Sequence, residues 1–377
     1  MPAIWLIDAY RAGERGQVRA LAEAAAAALD WPLETITPRY RSWAVWPHLF
    51  RQTSLAGLQH RSRCVFAPPW PGLVITAGVR NEPLGRWLRN ASGGATRYIH
   101  VGKPWGRLDD FDLLVTTPQY RVPVHARVLH NALTVHGLEG QRLQRAGETW
   151  AARFAPLPRP WIGVLVGGDS GPYTLGRRAA VRLLEGAVAR ARDCGGSLLV
   201  TTSARTRPAV SEVLERGLAG SGGVDACPHF LHRYGASPDN PYAGILALAD
   251  AFVVTGDSIA MLSEACGTGR PMALFDLGGM RRDAGAASGA AGSVDRRPGA
   301  ALYRVLMRWF PQPLSRDITL VHRALVDAGR AEWLEDVGPV VAAPGVRAAA
   351  RSPDLERAVV RICELVGAAP PGNDDCR

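Results

Sequence analysis

The stretch "DAFVVTGDSIAMLSEACGTGRPMALF", Asp250 to Phe275, decides how the chain is read. The apolar run from Ala251 to Val254 predicts a buried strand, and a Thr-Gly-Asp-Ser turn follows it. A short helical pattern runs from Ile259 to Gly267, Gly-Thr-Gly closes it, and Arg270-Pro271 opens a second apolar run. Strand, loop, helix and strand in this order build a parallel sheet covered on both faces. Asp257 or Ser258 stands where a helix N-cap is expected. The first-turn amides of such a helix point outward and its dipole favours an anion, so a diphosphate is a natural guest. Glu264 lies on nearly the same helix face, roughly 10 Å further along at 1.5 Å per residue. A carboxylate there can accept two hydrogen bonds from a ribose diol. Plain capping with a surface Glu is the simpler alternative.

Outward from this stretch the same alternation repeats. Upstream, "WIGVLVGGDSG" predicts a strand and loop, and "TLGRRAAVRLLEGAVARARDCG" a helix. "SLLVTTSAR" and "PHFLHRYG" read as strands, and "AVSEVLERGL" and "PYAGILALAD" as helices. Three prolines in "RFAPLPRPW", Arg153 to Trp161, predict a linker, and before it an independent alternation runs. There "AIWLIDA", "LVITAG", "TRYIHVG" and "FDLLVTTP" read as strands. "RAGERG" reads as a turn, and "QVRALAEAAAAAL" and "EPLGRWLRNA" as helices. The expected architecture is α/β: two Rossmann-like domains facing a cleft, over residues 1–155 and 158–350. Ligands of such sheets bind at the carboxyl ends of the strands. Residues 281–300, rich in Gly, Ala and Arg, predict a mobile loop. A helix is expected at "ALYRVLMRWF", and a final one over 351–368 that packs back on the N-terminal domain. The tail, 369–377, reads as disordered.

The gross composition suits this plan. The 377 residues fit two domains, and 47% hydrophobic residues supply two cores. Forty-four basic against 34 acidic residues leave a net charge of +10, and Lys103 is the sole lysine. That balance favours acidic partners such as nucleotides, phosphates or an anionic membrane face. The basic residues are too dispersed for a nucleic-acid surface. The six cysteines, Cys64, Cys194, Cys227, Cys266, Cys363 and Cys376, show no metal-ligand spacing and suit a reducing compartment. The start, "MPAIWLIDAYRAGERG", lacks the basic n-region and long apolar core of a signal peptide. A cytoplasmic location is expected, with peripheral attachment to the inner membrane left open. The segment "PRYRSWAVWPHLFRQ", Pro38 to Gln52, interleaves Arg39, Arg41 and Arg51 with Tyr40, Trp43, Trp46 and Phe50. It reads either as an interfacial membrane segment or as a loop packed on the first domain.

The second phosphate-loop candidate is "VGGDSGPYTLG", Val166 to Gly176, whose glycines permit close backbone approach to phosphate oxygens. It is neither a Walker loop nor a GxGxxG fingerprint. Together, "GGDSG", "NPYAGILALADAFVVTGDSIAMLSEACGTGRP" and "AGERGQVRALAEA" resemble the mitochondrial-fission ELM family. That family is named for a plant organelle-division factor and has many bacterial members. It is similar in turn to GT-B glycosyltransferases, such as the lipid II-forming N-acetylglucosaminyltransferase. The resemblance spans most of residues 4 to 280 and is densest from 240 to 272.

This resemblance implies a donor site for a nucleotide-sugar in the C-terminal domain. Gly167, Gly168, Asp169 and Ser170 match the first phosphate loop, Gly256, Asp257 and Ser258 the second, and Glu264 the ribose-binding Glu. The base would lie against Phe230 to Tyr234 and the Asn240–Tyr242 turn; Tyr242 reads equally well as a core aromatic. The N-terminal domain would take a lipid or glycan acceptor, with Gly13 and Gln17 agreeing with the family's first loop. A relative carries His in that loop where this chain has Glu14. Glu14 is the candidate general base if burial raises its pKa, and a solvated turn residue otherwise. Gly78, Arg80 and Lys103 fall at strand ends on the acceptor side, as does His100. Gln119-Tyr120 stands where the resemblance leads one to expect a His-Asp pair, a departure from the family's pattern that puts a role for that position in question. No metal or cofactor is expected, since such enzymes place the leaving diphosphate on helix dipoles. A nucleotide-sugar epimerase and a non-catalytic membrane or division scaffold remain the rival readings.

Overall fold

The computed structural model describes residues 2–41, 53–137, 140–220, 227–285, 295, 297–309, 316–336 and 352–369. In chain order the elements begin β1 (Ile4–Ile7), α1 (Ala12–Leu29), β2 (Leu33–Ile36), α2 (His60–Arg63), β3 (Leu73–Ala77), α3 (Glu82–Ala91), β4 (Arg97–Val101), β5 (Leu113–Thr116) and β6 (Val128–His130). They continue with α4 (Gly140–Phe154), β7 (Trp161–Val166), α5 (Arg177–Asp193), β8 (Ser197–Thr202), α6 (Pro208–Ala219), β9 (His229–His232), α7 (Tyr242–Leu248), β10 (Ala251–Thr255) and α8 (Ile259–Gly267). The last are β11 (Met272–Phe275), α9 (Met280–Asp283), α10 (Pro298–Trp309), α11 (Thr319–Asp327), β12 (Glu332–Trp333) and α12 (Pro353–Leu365).

Two compact units result. One holds Met1–Gly137 and Arg351–Arg377, the other Leu138–Ala350. Each contains one six-stranded sheet, in the orders β2-β1-β3-β4-β5-β6 and β12-β11-β10-β7-β8-β9. Every named strand pairing is parallel. β1, β3, β7, β8, β10 and β11 are buried along their whole length, which is why they read as unbroken apolar runs.

In the first unit, α1 and α12 share one apolar layer under β1, β3 and β4, where Val18, Leu21, Leu355, Val359 and Ile362 are buried. The carboxylate of Asp354 accepts from the amides of Ala132 and Leu133, fixing the start of α12 to the chain after β6. "RAGERG" is not a separate turn. Its residues from Ala12 on form the start of α1, with nothing within 4 Å of a Cβ built on Gly13 or Gly16.

The proline-rich stretch is not a boundary between the units. The division falls at Gly137–Leu138, and α4 belongs with the second sheet. Phe154 is fully buried, and its ring packs on Trp150, Trp161 and Phe230 at 5.7, 5.9 and 5.1 Å. Removing those rings from water outweighs the local stiffness of the prolines. Part of the segment expected to be a mobile loop is ordered as α9, and α10 begins at Pro298; residues 286–294 and 296 lie outside the described residues. So do 370–377, and the aromatic segment from residue 42 to 52, which includes Trp43 and Trp46. No described helix is long and apolar enough to cross a membrane.

Candidate functional site

Strand order in the second sheet reverses at β7. The chain steps from β7 outward to β8 and β9, then returns so that β10 pairs with the other side of β7. Crevices at such switch points are where open α/β sheets bind ligands. Both candidate loops leave the sheet here, from the carboxyl ends of neighbouring strands.

The loops are tied to each other. Gly167 N–H donates to Thr255 Oγ1 and Gly168 N–H to Asp257 Oδ2, both at 2.8 Å. A Cβ on Gly167 would collide with the Asp257 carboxylate, and one on Gly168 with the Arg205 carbonyl. These glycines therefore permit one loop to approach another, and their amides are already spent. Ser170 N–H is spent too, on Tyr173 O at 3.1 Å. Asp169 accepts from Leu175 N at 2.9 Å and meets the guanidiniums of Arg207 and Arg297. Ser170 Oγ accepts from Arg316 at 2.6 Å. The amide-donor role expected of Gly167, Gly168 and Ser170 is filled from within the protein.

The second loop also keeps unspent amides, as the first does at Asp169 and Gly171 among the described residues. Ser258 holds the N-cap position of α8 but makes no side-chain cap hydrogen bond. Asp257 does not cap either, because its carboxylate is turned to Gly168 N–H and Arg205 Nη2, the latter at 2.7 Å. Among the described residues nothing accepts from the amides of Asp257, Ile259 or Ala260. Asp257 is 1% exposed, and among the described residues its Oδ1 has no hydrogen-bond partner. Burial pushes its carboxyl pKa up, opposed by Arg205 and the Gly168 amide. Arg205 keeps 43% of its side chain exposed, so a cation and a helix N-terminus border one spot.

Glu264 stands further along α8, and Tyr242, first residue of α7, donates its phenolic hydrogen to Oε2. Oε1 accepts from no described residue. Burial raises the Glu264 pKa to about 7, and the Tyr242 hydrogen bond acts the other way. Tyr242 is thus neither a plain core aromatic nor a surface one. Phe230 packs on Trp150 and Phe154, so of the strand proposed to meet a base, the exposed aromatic is Tyr234 just beyond it.

The first unit has its own switch point, between β1 and β3. Gly78 follows β3 with φ +81°, and a Cβ there would lie 2.5 Å from Glu14 Oε2. The fold thus brings Glu14 and Gly78 together. Arg11 Nη1 lies 3.8 Å from Glu14 Oε1, whose side chain is 28% exposed. Gln17 donates to Gly13 O at 3.0 Å and borders a void of about 10 Å³ with Gly102, Thr116 and Tyr120. Arg80 stacks over Tyr10 at 4.4 Å and Lys103 over Trp105 at 5.1 Å. The Lys103 loop is pinned by the buried Glu82 carboxylate, which accepts from the amides of Trp105 and Gly106. His100 is structural: fully buried, it contacts Thr76 Oγ1 at 2.8 Å and Tyr98 Oη at 3.0 Å.

Sequence alone marks Arg205 only as the last residue of a predicted strand, a place that already puts it at the carboxyl edge. His322, whose Nε2 lies 2.6 Å from Gly256 O, carried no local signal at all. A groove of about 400 Å³ between α4 and α7 belongs elsewhere, being bordered by Leu143, Gly147, Leu248 and Arg270.

Comparison with known proteins adds the following. A family model described as Mitochondrial fission ELM1 matches residues 12–287. The mitochondrial fission protein ELM1 of Arabidopsis thaliana is 26% identical over 243 residues, covering 59% of this chain and 55% of that protein. Among solved structures, the UDP-GlcNAc 2-epimerase from Methanocaldococcus jannaschii aligns with a TM-score of 0.46 at 11% identity, over 87% of this chain and 99% of that one. The spinosyn forosaminyltransferase SpnP aligns with a TM-score of 0.46 at 12% identity, over 97% and 99%.

Proposed function

The chain belongs to the Mitochondrial fission ELM1 family, and from that premise we propose that it is a metal-independent, nucleotide-sugar-dependent glycosyltransferase. One observation carries the reading. Unaccepted amides at the start of α8, the Arg205 guanidinium and the Glu264 carboxylate all belong to the switch point of the second sheet. That set supports a nucleoside diphosphate as ligand. Glu264 Oε1 accepts from the ribose diol, and the α8 amides with Arg205 take the diphosphate.

In this reading the first unit takes the acceptor, a lipid or envelope glycan. Glu14 draws the proton from the acceptor hydroxyl, whose oxygen then attacks the anomeric carbon. The bond to the nucleoside diphosphate breaks, and its new negative charge falls on the amides and Arg205, where it is stabilised as it forms. Arg39, Arg41 and the aromatic residues after them are assigned to an anionic membrane surface. Pelleting with anionic vesicles, reversed by high salt, tests that contact.

Calorimetric titration with UDP, GDP, CDP, ADP and their sugars tests the donor site. Binding of at least one diphosphate, lost in Glu264→Ala with the fold retained, supports it. Equal affinity in wild type and variant, or no binding across the panel, overturns it.

A further inference from the structure

We propose that His322 is a positioning residue: by holding the Gly256 carbonyl it aims the Asp257 N–H at the diphosphate. The inference rests on the donor-site reading above and deepens it. His322 lies on α11, beyond the residues that the family model matches. It is completely buried, and its ring meets Trp333 edge-on, at 5.8 Å and 83°.

The argument runs through the peptide plane. Nε2 of His322 is 2.6 Å from Gly256 O. A carbonyl oxygen only accepts, so Nε2 carries the hydrogen and donates it. The Gly256–Asp257 peptide is planar and trans, which sets its C=O and N–H in opposite directions. With the C=O turned onto His322 in the core, the Asp257 N–H points away from it. No described residue accepts from that N–H, nor from the neighbouring amides of Ile259 and Ala260.

A lock is needed because residue 256 is glycine. A Cβ there would stand 2.8 Å from Met280 Sδ and 3.1 Å from His322 Cε1, so a side chain would crowd both and force one of them to shift. Glycine, however, leaves the peptide open to rotation into the reversed orientation. One buried donor removes that freedom before the ligand arrives, so the ordering cost does not fall on binding. Burial also keeps the imidazole neutral, its pKa lowered to about 4. Among the described residues its Nδ1 has no partner, so the Nε2 bond to Gly256 O is the polar contact that calls for a histidine here.

The test compares, for each nucleoside diphosphate that wild type binds, the Kd of the diphosphate with that of its parent nucleoside, UDP against uridine first. His322→Leu keeps an apolar filling but removes the donor; His322→Gln keeps an N–H. The Leu variant is expected to lose about tenfold in diphosphate affinity, the scale of one hydrogen bond to a charged group, with nucleoside affinity unchanged and the Gln variant mostly restored. Parallel loss of both ligands would mark a merely structural histidine, and loss of neither would overturn the proposal. If the Leu variant does not fold, the wild-type Asp257 amide resonance decides: it must shift on adding the diphosphate, and an unmoved resonance refutes the inference. Failure of wild type to bind any diphosphate would instead sink the donor site itself, and the inference with it.

Discussion

Tyr242 hands its phenolic hydrogen to Oε2 of Glu264, joining the first turn of α7 to the middle of α8. The carboxyl so held has its pKa raised by burial to about 7. A ribose diol needs the ionised form as acceptor, so ligand binding should expel a proton. Nucleotide affinity is therefore expected to rise from pH 6 to pH 8 and then level off. Titration in two buffers of different ionisation enthalpy reads the proton directly. Glu264→Gln should flatten the profile. Tyr242→Phe should move its midpoint to higher pH, because the lost hydrogen bond favours the ionised form. For stability the sign is reversed: the raised folded-state pKa contributes below the ordinary value of 4.5, and that contribution is lost as pH rises through about 7. A pH-independent Kd would remove Glu264 from the ribose site.

Arg205→Ala leaves the Asp257 carboxylate buried without its cation. The carboxyl pKa, already raised by burial, should rise further, so the folded state holds a proton that the unfolded chain has released. The variant should match wild type in denaturant midpoint near pH 4 and fall behind at pH 8. The cost there is on the order of 2–3 kcal/mol, tempered by the exposure of the guanidinium. Adding Asp257→Asn should recover most of it. A penalty that does not change with pH would show that the pair is not what is lost.

Gly78→Ala meets two obstacles, a left-handed backbone worth about 1–2 kcal/mol and the Glu14 carboxylate. In the Glu14→Ala background only the first remains, so the two substitutions should be non-additive in urea unfolding. Strict additivity would mean that Glu14 does not lie over Gly78.

A fragment of the second unit starting at residue 138 should fold more stably than one starting at residue 156. The shorter one uncovers Trp161 and Phe230 by deleting Trp150 and Phe154. Loss of one large buried aromatic alone costs about 3–5 kcal/mol. Equal melting temperatures for the two fragments would return α4 to the first unit.

What was legible in the sequence follows a physical division. Fully buried parallel strands announce themselves as apolar runs, and the bounds of α8 and α3 coincide with the predicted segments. β2, β6 and β12 were missed because they are short and each is partly exposed, leaving no apolar run to see. α4 was missed because its buried residues, Leu143, Gly147 and Phe154, make a thin stripe that the following prolines overshadow. At the site, the loops were visible from their glycines. Which amides they keep was not, since the tie between Gly168 and Asp257 exists only once β10 lies beside β7.

That tie joins residues 89 positions apart, and its neighbour from Gly167 to Thr255 spans 88. On the ribosome the first loop would thus emerge long before the groups that complete it. β10 must first insert between β7 and β11. Until then the early loop has no partner and the late one no frame, so under the proposed donor-site reading neither half would hold a nucleotide alone. Ligand would reward only the finished sheet, making nucleotide retention by nascent chains a gauge of when that insertion occurs.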